Sequence, residues 1–357
     1  MDFDRVCESR TAMSVRCLPM VDHRGADVVV VVAKMAYRVS PRGAVTLAVA
    51  PVRITSAVAG PRGSLRCPSD YVAEKPGTDV FMVGTAYPRL ERDRPTTEVD
   101  VTLRVGLLDR AARVYGPRVY YQGVLGVVPG PPGRLEEPTP LLYEHAFGGI
   151  DATDPRSYAL ETRNPVGTGF ALDRSKLVGT VAPSIEDPTL PIAARSSTPA
   201  GFGALGADWD PRARLAGTFD ERWRKERAPV FPKDFDPRHN CCAPPGLWSS
   251  TPLRGDEPVE VVGVTPDGAP WRFKLPLYEP TFACVIRGLR HELTSHLDTF
   301  FVDADERLLE LTWRATFELP RKAQLVERIE VNASPNLPES VFHEGPAPIS
   351  AGQEASA

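Results

Sequence analysis

The chain has 357 residues, enough for two domains or for one large β domain with long excursions. Hydrophobic residues make up 42% and charged residues 25%, ordinary globular usage that supports a sizeable core. A net charge of −4 gives no bulk attraction to nucleic acid or anionic membrane, and 37 prolines, about twice ordinary usage, argue against long helices.

The first residues (MDFDRVCESRTAM) carry early acids and no apolar signal region, and the Val28–Val32 run is far shorter than the roughly 20 apolar residues a spanning helix needs. A cytoplasmic protein is the expectation. Six cysteines (Cys7, Cys17, Cys67, Cys241, Cys242, Cys284) show no CxxC spacing, so a disulfide framework is not expected.

Asp27–Val39 reads as a long buried strand, rich in valine. Pro41-Arg42-Gly43 turns the chain, and Ala44–Val49 returns as its hairpin partner. Asp79–Val83 is a third strand. In Thr97–Leu107, Val99, Val101, Leu103 and Val105 alternate with polar residues, the pattern of a half-buried antiparallel strand, and Arg113–Tyr121 continues the meander. The proline-rich run 129–140 marks an internal boundary. Arg212–Arg227 is the best helix candidate, since Leu215, Phe219 and Trp223 recur every four residues. Its basic residues are interrupted by Glu221 and Glu226, as on a solvated face. Strands resume at Glu257–Val264, Trp271–Leu275, Phe282–Leu289, Leu297–Asp303 and Leu308–Leu319, with Asp267-Gly268 as a hairpin turn.

The expected fold is mainly β: two antiparallel, sandwich-like β-rich regions joined by a loop-rich middle with one or two short helices. The expected divisions are 1–128 (N-terminal β-rich region), 129–256 (middle), 257–331 (C-terminal β-rich region) and 332–357, a Pro, Ser, Ala and Glu-rich tail expected to be disordered.

Chemistry-bearing patterns are sparse. There is no Gly-x-Ser-x-Gly elbow and no phosphate loop ending in Gly-Lys-Ser/Thr. His239, Cys241 and Cys242 lie close together but lack a fourth ligand at zinc spacing, and His291 and His296 are five apart. No metal or cofactor is expected. Asp234, Asp236, Asp256 and Glu257 supply paired carboxylates, which read more simply as turn and cap residues. Of the five tryptophans, Trp209, Trp223 and Trp248 lie in the middle region and favour a contact surface there. The most patterned segment is Leu142–Phe170. It spends Phe147, Gly148 and Gly149, then Asn164, Pro165, Gly167, Gly169 and Phe170, on loop shape with no nucleophile–base pair attached.

Five stretches in matching order carry a family resemblance: SDYVAEKPGTDVFMVGTAY (Ser69–Tyr87), YEHAFGG…RNPVGTGF (Tyr143–Phe170), PVFPKDFDPRHNCCAPPG (Pro229–Gly246), LRGDEPVEVVGVTPDG (Leu253–Gly268) and LDTFFVDADERLLELTWRATF (Leu297–Phe317). The chain resembles, from about Val28 to Leu319, the bacterial type VI secretion accessory proteins numbered 2169 among the domains of unknown function. The resemblance implies a non-enzymatic adaptor or chaperone. Its implied partners are a type VI effector and the spike, meaning a valine-glycine repeat protein or its PAAR tip. Residues Phe147, Gly148, Gly149, Asn164, Pro165, Gly167, Gly169 and Phe170, with Pro232, Asp234, Phe235, Asp256 and Glu257 behind them, are the candidates for contact or for shaping the loops. The alternative is a carbohydrate-active β-sandwich hydrolase using Asp or Glu.

Overall fold

Every residue from Val28 to Tyr37 is buried, because the Asp27–Val39 strand is covered on both faces, as its unbroken apolar run predicts. A computed structural model gives this arrangement and describes residues 2–333 apart from 61, 92, 152, 154–157 and 194–196. The expected tail therefore lies almost wholly outside the described residues.

The Asp27–Val39 strand is central to a seven-stranded sheet. Ser14–Val21 lies on one side, and on the other follow Leu308–Glu318, Ser295–Asp303, Thr78–Val83 and Trp248–Ser249 in turn, while Val45–Leu47 also pairs with the central strand. All neighbours are antiparallel except Thr78–Val83 and Ser295–Asp303, which run parallel. Strands from both ends of the chain thus alternate within one hydrogen-bonded sheet. Val29, Val31 and Ala33 project from it into the main core with Leu309, Leu311 and Trp313. A five-stranded sheet contributes Val99, Val101, Leu103, Val105, Val259 and Val261 to that core. A four-stranded sheet (Cys7–Arg10, Val326–Asn332, Thr281–Ile286, Leu289–Leu293) adds Phe282, Cys284, Ile329 and Val331. Burying each of the valine, leucine, isoleucine and phenylalanine side chains contributes about 1.5–3 kcal/mol.

Several expectations are corrected. Arg212–Arg227 is a 3-10 turn, Arg212–Leu215, followed by a six-residue α-helix, Glu221–Glu226. Gly217 interrupts them at φ +80°, where a Cβ would lie 2.9 Å from Pro232 Cβ, and Asp220 then caps the helix by accepting from the Trp223 amide at 2.7 Å. The helix does carry solvated ion pairs, Arg222–Glu226 at 3.1 Å and Arg224–Glu221 at 2.6 Å. Phe282–Leu289 is two strands, because Arg287 and Gly288 both take positive φ in a two-residue hairpin turn. The strands Ser14–Val21 and Val326–Asn332 lack strict apolar alternation and escape periodicity.

The second face of the large sheet holds buried charges. Asp79 is fully buried and its carboxylate pairs with Lys75 Nζ at 2.7 Å. It also accepts from the backbone amides of Cys242 at 3.0 Å and Ala243 at 3.2 Å. Lys75 donates in addition to Thr299 Oγ1 at 2.9 Å. Arg314 pairs with Asp298 at 2.6 Å and donates to the carbonyls of Asp70 and Val72. Lys34 bridges Asp70 at 3.2 Å and Glu310 at 3.1 Å. The charges bind two covering segments to the sheet, the chain around Asp70–Lys75 and that around Cys242. Small apolar clusters fill the gaps, Val28, Val30 and Val32 with Ala73, and Phe81 and Phe301 with Ala204 and Cys242.

Removing one member of such a pair strands the other charge, at a cost of about 3–5 kcal/mol. Asp79→Ala is expected to lower unfolding free energy by about that amount in urea titration; a loss below about 1 kcal/mol would contradict the role assigned to it. Burial alone would raise the Asp298 pKa, but the Arg314 and Lys75 charges outweigh it and hold the carboxyl below its usual range. The folded-state value is depressed, so this stabilisation is present above the unfolded value of about 3.9 and is lost as pH falls through the folded one. Arg314→Met should therefore move the acid-unfolding midpoint, followed by circular dichroism, to higher pH.

Candidate recognition surface

The patterned loop is an extension of the five-stranded sheet. Leu108–Tyr115 pairs at one edge with Ile185–Glu186, Ile185 bridges Ala146, and Phe147-Gly148 pairs in parallel with Thr168-Gly169. The backbone thus runs as a continuous ladder from a regular strand into the loop. Asn164 is fully buried, and its Nδ2 donates to the carbonyls of Tyr143 at 2.8 Å and Phe147 at 2.9 Å. Asn164 also opens a turn in which the Gly167 amide donates to the Asn164 carbonyl at 3.3 Å, with Pro165 at the position where its fixed φ fits.

Close approach explains two glycines. A Cβ on Gly148 would stand 2.8 Å from Asn164 Cβ, and one on Gly167 would stand 2.7 Å from the Ala146 carbonyl oxygen. Gly149 and Gly169 both take positive φ, and the Tyr120 hydroxyl donates to the Gly169 carbonyl at 3.3 Å. Phe147 is buried edge-on to half-buried Phe170, with centroids 6.4 Å apart. Trp209, from the middle region, is buried edge-on against Tyr143 at 5.3 Å. The first-tier residues are therefore brought together, and their side chains and backbones face one another.

The second tier is dispersed into local roles. Asp234 accepts from the Thr218 amide at 3.0 Å and hydroxyl at 2.7 Å, which hold its carboxyl below the usual range. Pro232 is buried, and Phe235 packs against Phe231 at 4.4 Å and His239 at 5.6 Å. Asp256 pairs with Lys274 at 2.9 Å, and Glu257 accepts from the amides of Arg254 and Gly255 at 2.8 Å each. All six cysteines are free, and no cluster of three or more His, Cys, Asp or Glu among the described residues is placed to hold a metal.

Sequence reasoning missed an exposed feature beside this loop. Tyr120–Gly123 and Gly126–Pro129 form a hairpin whose two-residue tip is Val124-Leu125, where Asn-Gly or Asp-Gly would be usual. Both tip side chains are almost fully exposed, at 102% and 86%. Tyr120 points inward to a small core with Val127, Phe147, Leu177 and Ala182, so Val119 and Tyr121 point outward, and both are exposed. The segment 178–182 adds a third strand-like run: Tyr120 donates to the Thr180 carbonyl, Ala182 donates to that of Arg118, and exposed Val181 faces Val119. The available signal was the absence of any charged residue from Val119 to Gly133.

Val181 also borders a groove of about 490 Å³ between residues 134–140 and 181–184. Pro117, Leu135, Pro138, Pro140 and Pro183 make much of its wall. Arg118 is buried in it, paired with Glu186, donating to the Pro183 carbonyl and lying 4.0 Å over the Tyr115 ring. His145 lines one side, its pKa lowered by burial and then by Arg62.

The fold thus defines a mainly β protein of packed antiparallel sheets. It belongs to the bacterial family described as "Uncharacterized protein conserved in bacteria (DUF2169)", whose model matches residues 24–314. No curated protein and no solved structure matches the chain. No helix among the described residues is long and apolar enough to cross a membrane.

Adding a methyl group at the tight glycines forces backbone shifts costing about 1–3 kcal/mol. Gly148→Ala and Gly167→Ala should each lose that much stability in urea, whereas Gly203→Ala, whose Cβ would find its nearest neighbour at 3.7 Å, should stay within about 0.5 kcal/mol of the parent. Equal effects at all three positions would contradict the close-approach account.

Proposed function

We propose that this protein is a non-enzymatic adaptor or chaperone that binds a type VI secretion effector and helps load it onto the spike, at a valine-glycine repeat protein or its PAAR tip. The motif order in the sequence suggests the system. The observation that carries the binding role is the distribution of exposed apolar side chains. Six of the twenty large ones among the described residues, Val119, Tyr121, Val124, Leu125, Val178 and Val181, lie on the hairpin and the chain paired beside it. Exposed apolar side chains gathered in this way mark interaction sites, whereas scattered ones need no explanation.

The hydrolase alternative needs a carboxyl group with a raised pKa to serve as the acid. Asp234 and Asp236 are shifted the other way, by Thr218 and Arg238 respectively. Asp305 is raised by burial, yet its carboxylate is taken up at a turn by the Thr85 amide and hydroxyl.

Leu125 is exposed, so Leu125→Asp should change stability by no more than about 0.5 kcal/mol. The same substitution is expected to abolish co-purification of a type VI effector co-expressed with this chain. Undiminished capture by a folded Leu125→Asp variant would refute the proposed surface. An Asp234→Ala, Asp256→Ala variant that still binds the effector yet loses biological activity would favour the enzyme instead.

A further inference from the structure

The groove bordered by Val181 offers something the hairpin face does not, a concave wall with unused polar groups. Tyr115 and His145 line it, and neither side chain has a hydrogen-bond partner among the described residues. Arg118 is paired with Glu186, and the Glu144 carboxylate is buried, accepting from the Ser64 amide and hydroxyl at 3.0 and 2.8 Å. At the mouth, exposed Glu136 and Glu137 stand beside Arg134, and none of the three forms an ion pair among the described residues. Those three side chains together carry one net negative charge beside a proline- and leucine-lined wall. The groove's size falls within the range of about 300–1,000 Å³ usual for ligand sites, and apolar walls with a few convergent polar groups are their common composition.

We propose that this groove docks an extended segment of the client protein, one that carries proline or aliphatic side chains around a single basic residue. The inference rests on the adaptor reading above and names the chemistry of what that adaptor holds. Extended proline-containing segments suit such a site because their backbone is already stiff and costs little to order. Tyr115 and His145 are placed to hydrogen-bond the exposed peptide groups of such a segment, and Glu136 and Glu137 to meet its cation. Charge selects against this chain's own terminal segment as occupant: residues 334–357 contain Glu339, Glu344 and Glu354 and no lysine or arginine.

Fluorescence anisotropy with the full chain tests the inference, using a labelled, amidated hexapeptide Pro-Leu-Arg-Pro-Leu-Pro and its analogue with Glu in place of Arg. The arginine peptide is expected to bind saturably and at least fivefold more tightly than the analogue. The double variant Glu136→Lys, Glu137→Lys should reverse that preference, and Val181→Asp should weaken both peptides tenfold or more. No saturable binding, or binding indifferent to all three substitutions, overturns the groove. Effector capture separates this from the adaptor reading. If Leu125→Asp abolishes capture while the Glu136→Lys, Glu137→Lys variant retains it, the groove inference falls and the adaptor stands. If the peptides bind as expected but no variant affects capture, the adaptor reading falls.

Discussion

The carboxylate of Asp79 is the point on which the rest of the structure depends. It sits fully buried on a sheet strand, faces Lys75 at 2.7 Å and accepts the amides of Cys242 and Ala243. One side chain thereby fastens two separate stretches of irregular chain to the sheet. The chain around Cys242 covers Phe81 and Phe301 on the second face of the seven-stranded sheet, and Ala73, close to Lys75, packs on Val28 and Val30. The Lys34–Asp70–Glu310 and Arg314–Asp298 groups repeat the device along the same face. Buried ion pairs add little net stability, but they penalise every arrangement that leaves a charge unpaired. They suit a chain with so much irregular backbone, where few regular ladders specify how loops must lie.

The loop Leu142–Phe170 serves the same end by other means. Its glycines let backbones meet where a side chain would intervene, and Asn164 supplies the donors that a regular strand would have supplied. The outcome is a firm edge from which the 178–186 segment reaches the apolar hairpin. Tyr120 joins the two directly, packed in the small core with Phe147 and bonded to the Gly169 carbonyl. Shape at the glycine motifs and display of Val119, Tyr121 and Leu125 are thus parts of one construction. A recognition surface held on rigid backbone loses less entropy when it binds.

Strands with a strong apolar signature were legible in the sequence. The Asp27–Val39 span is found with the same limits, and Val99, Val101, Leu103 and Val105 all turn inward. Pairing between distant strands was not legible, because a side-chain period says which face is buried and nothing about which strand lies alongside. The parallel contact between Thr78–Val83 and Ser295–Asp303 joins residues more than two hundred apart. The helix expected over Arg212–Arg227 failed at Gly217, where tertiary contact with Pro232 outweighed a four-residue period. For the site, the glycine and asparagine motifs were recognisable as shape. The hairpin tip and the groove were not, since a surface is defined by what fails to cover it, and only the charge-free run from Val119 hinted at one.

The central claim is that this rigid β scaffold binds its partner through the apolar hairpin and the chain beside it. Hydrogen–deuterium exchange on this chain, alone and mixed with a co-purifying type VI effector, tests it most directly. The account predicts new protection concentrated in residues 119–128 and 178–184, with the Cys242 and Ala243 amides slow to exchange in both states. Protection confined to other surfaces, or none at all in a complex that demonstrably forms, would contradict it.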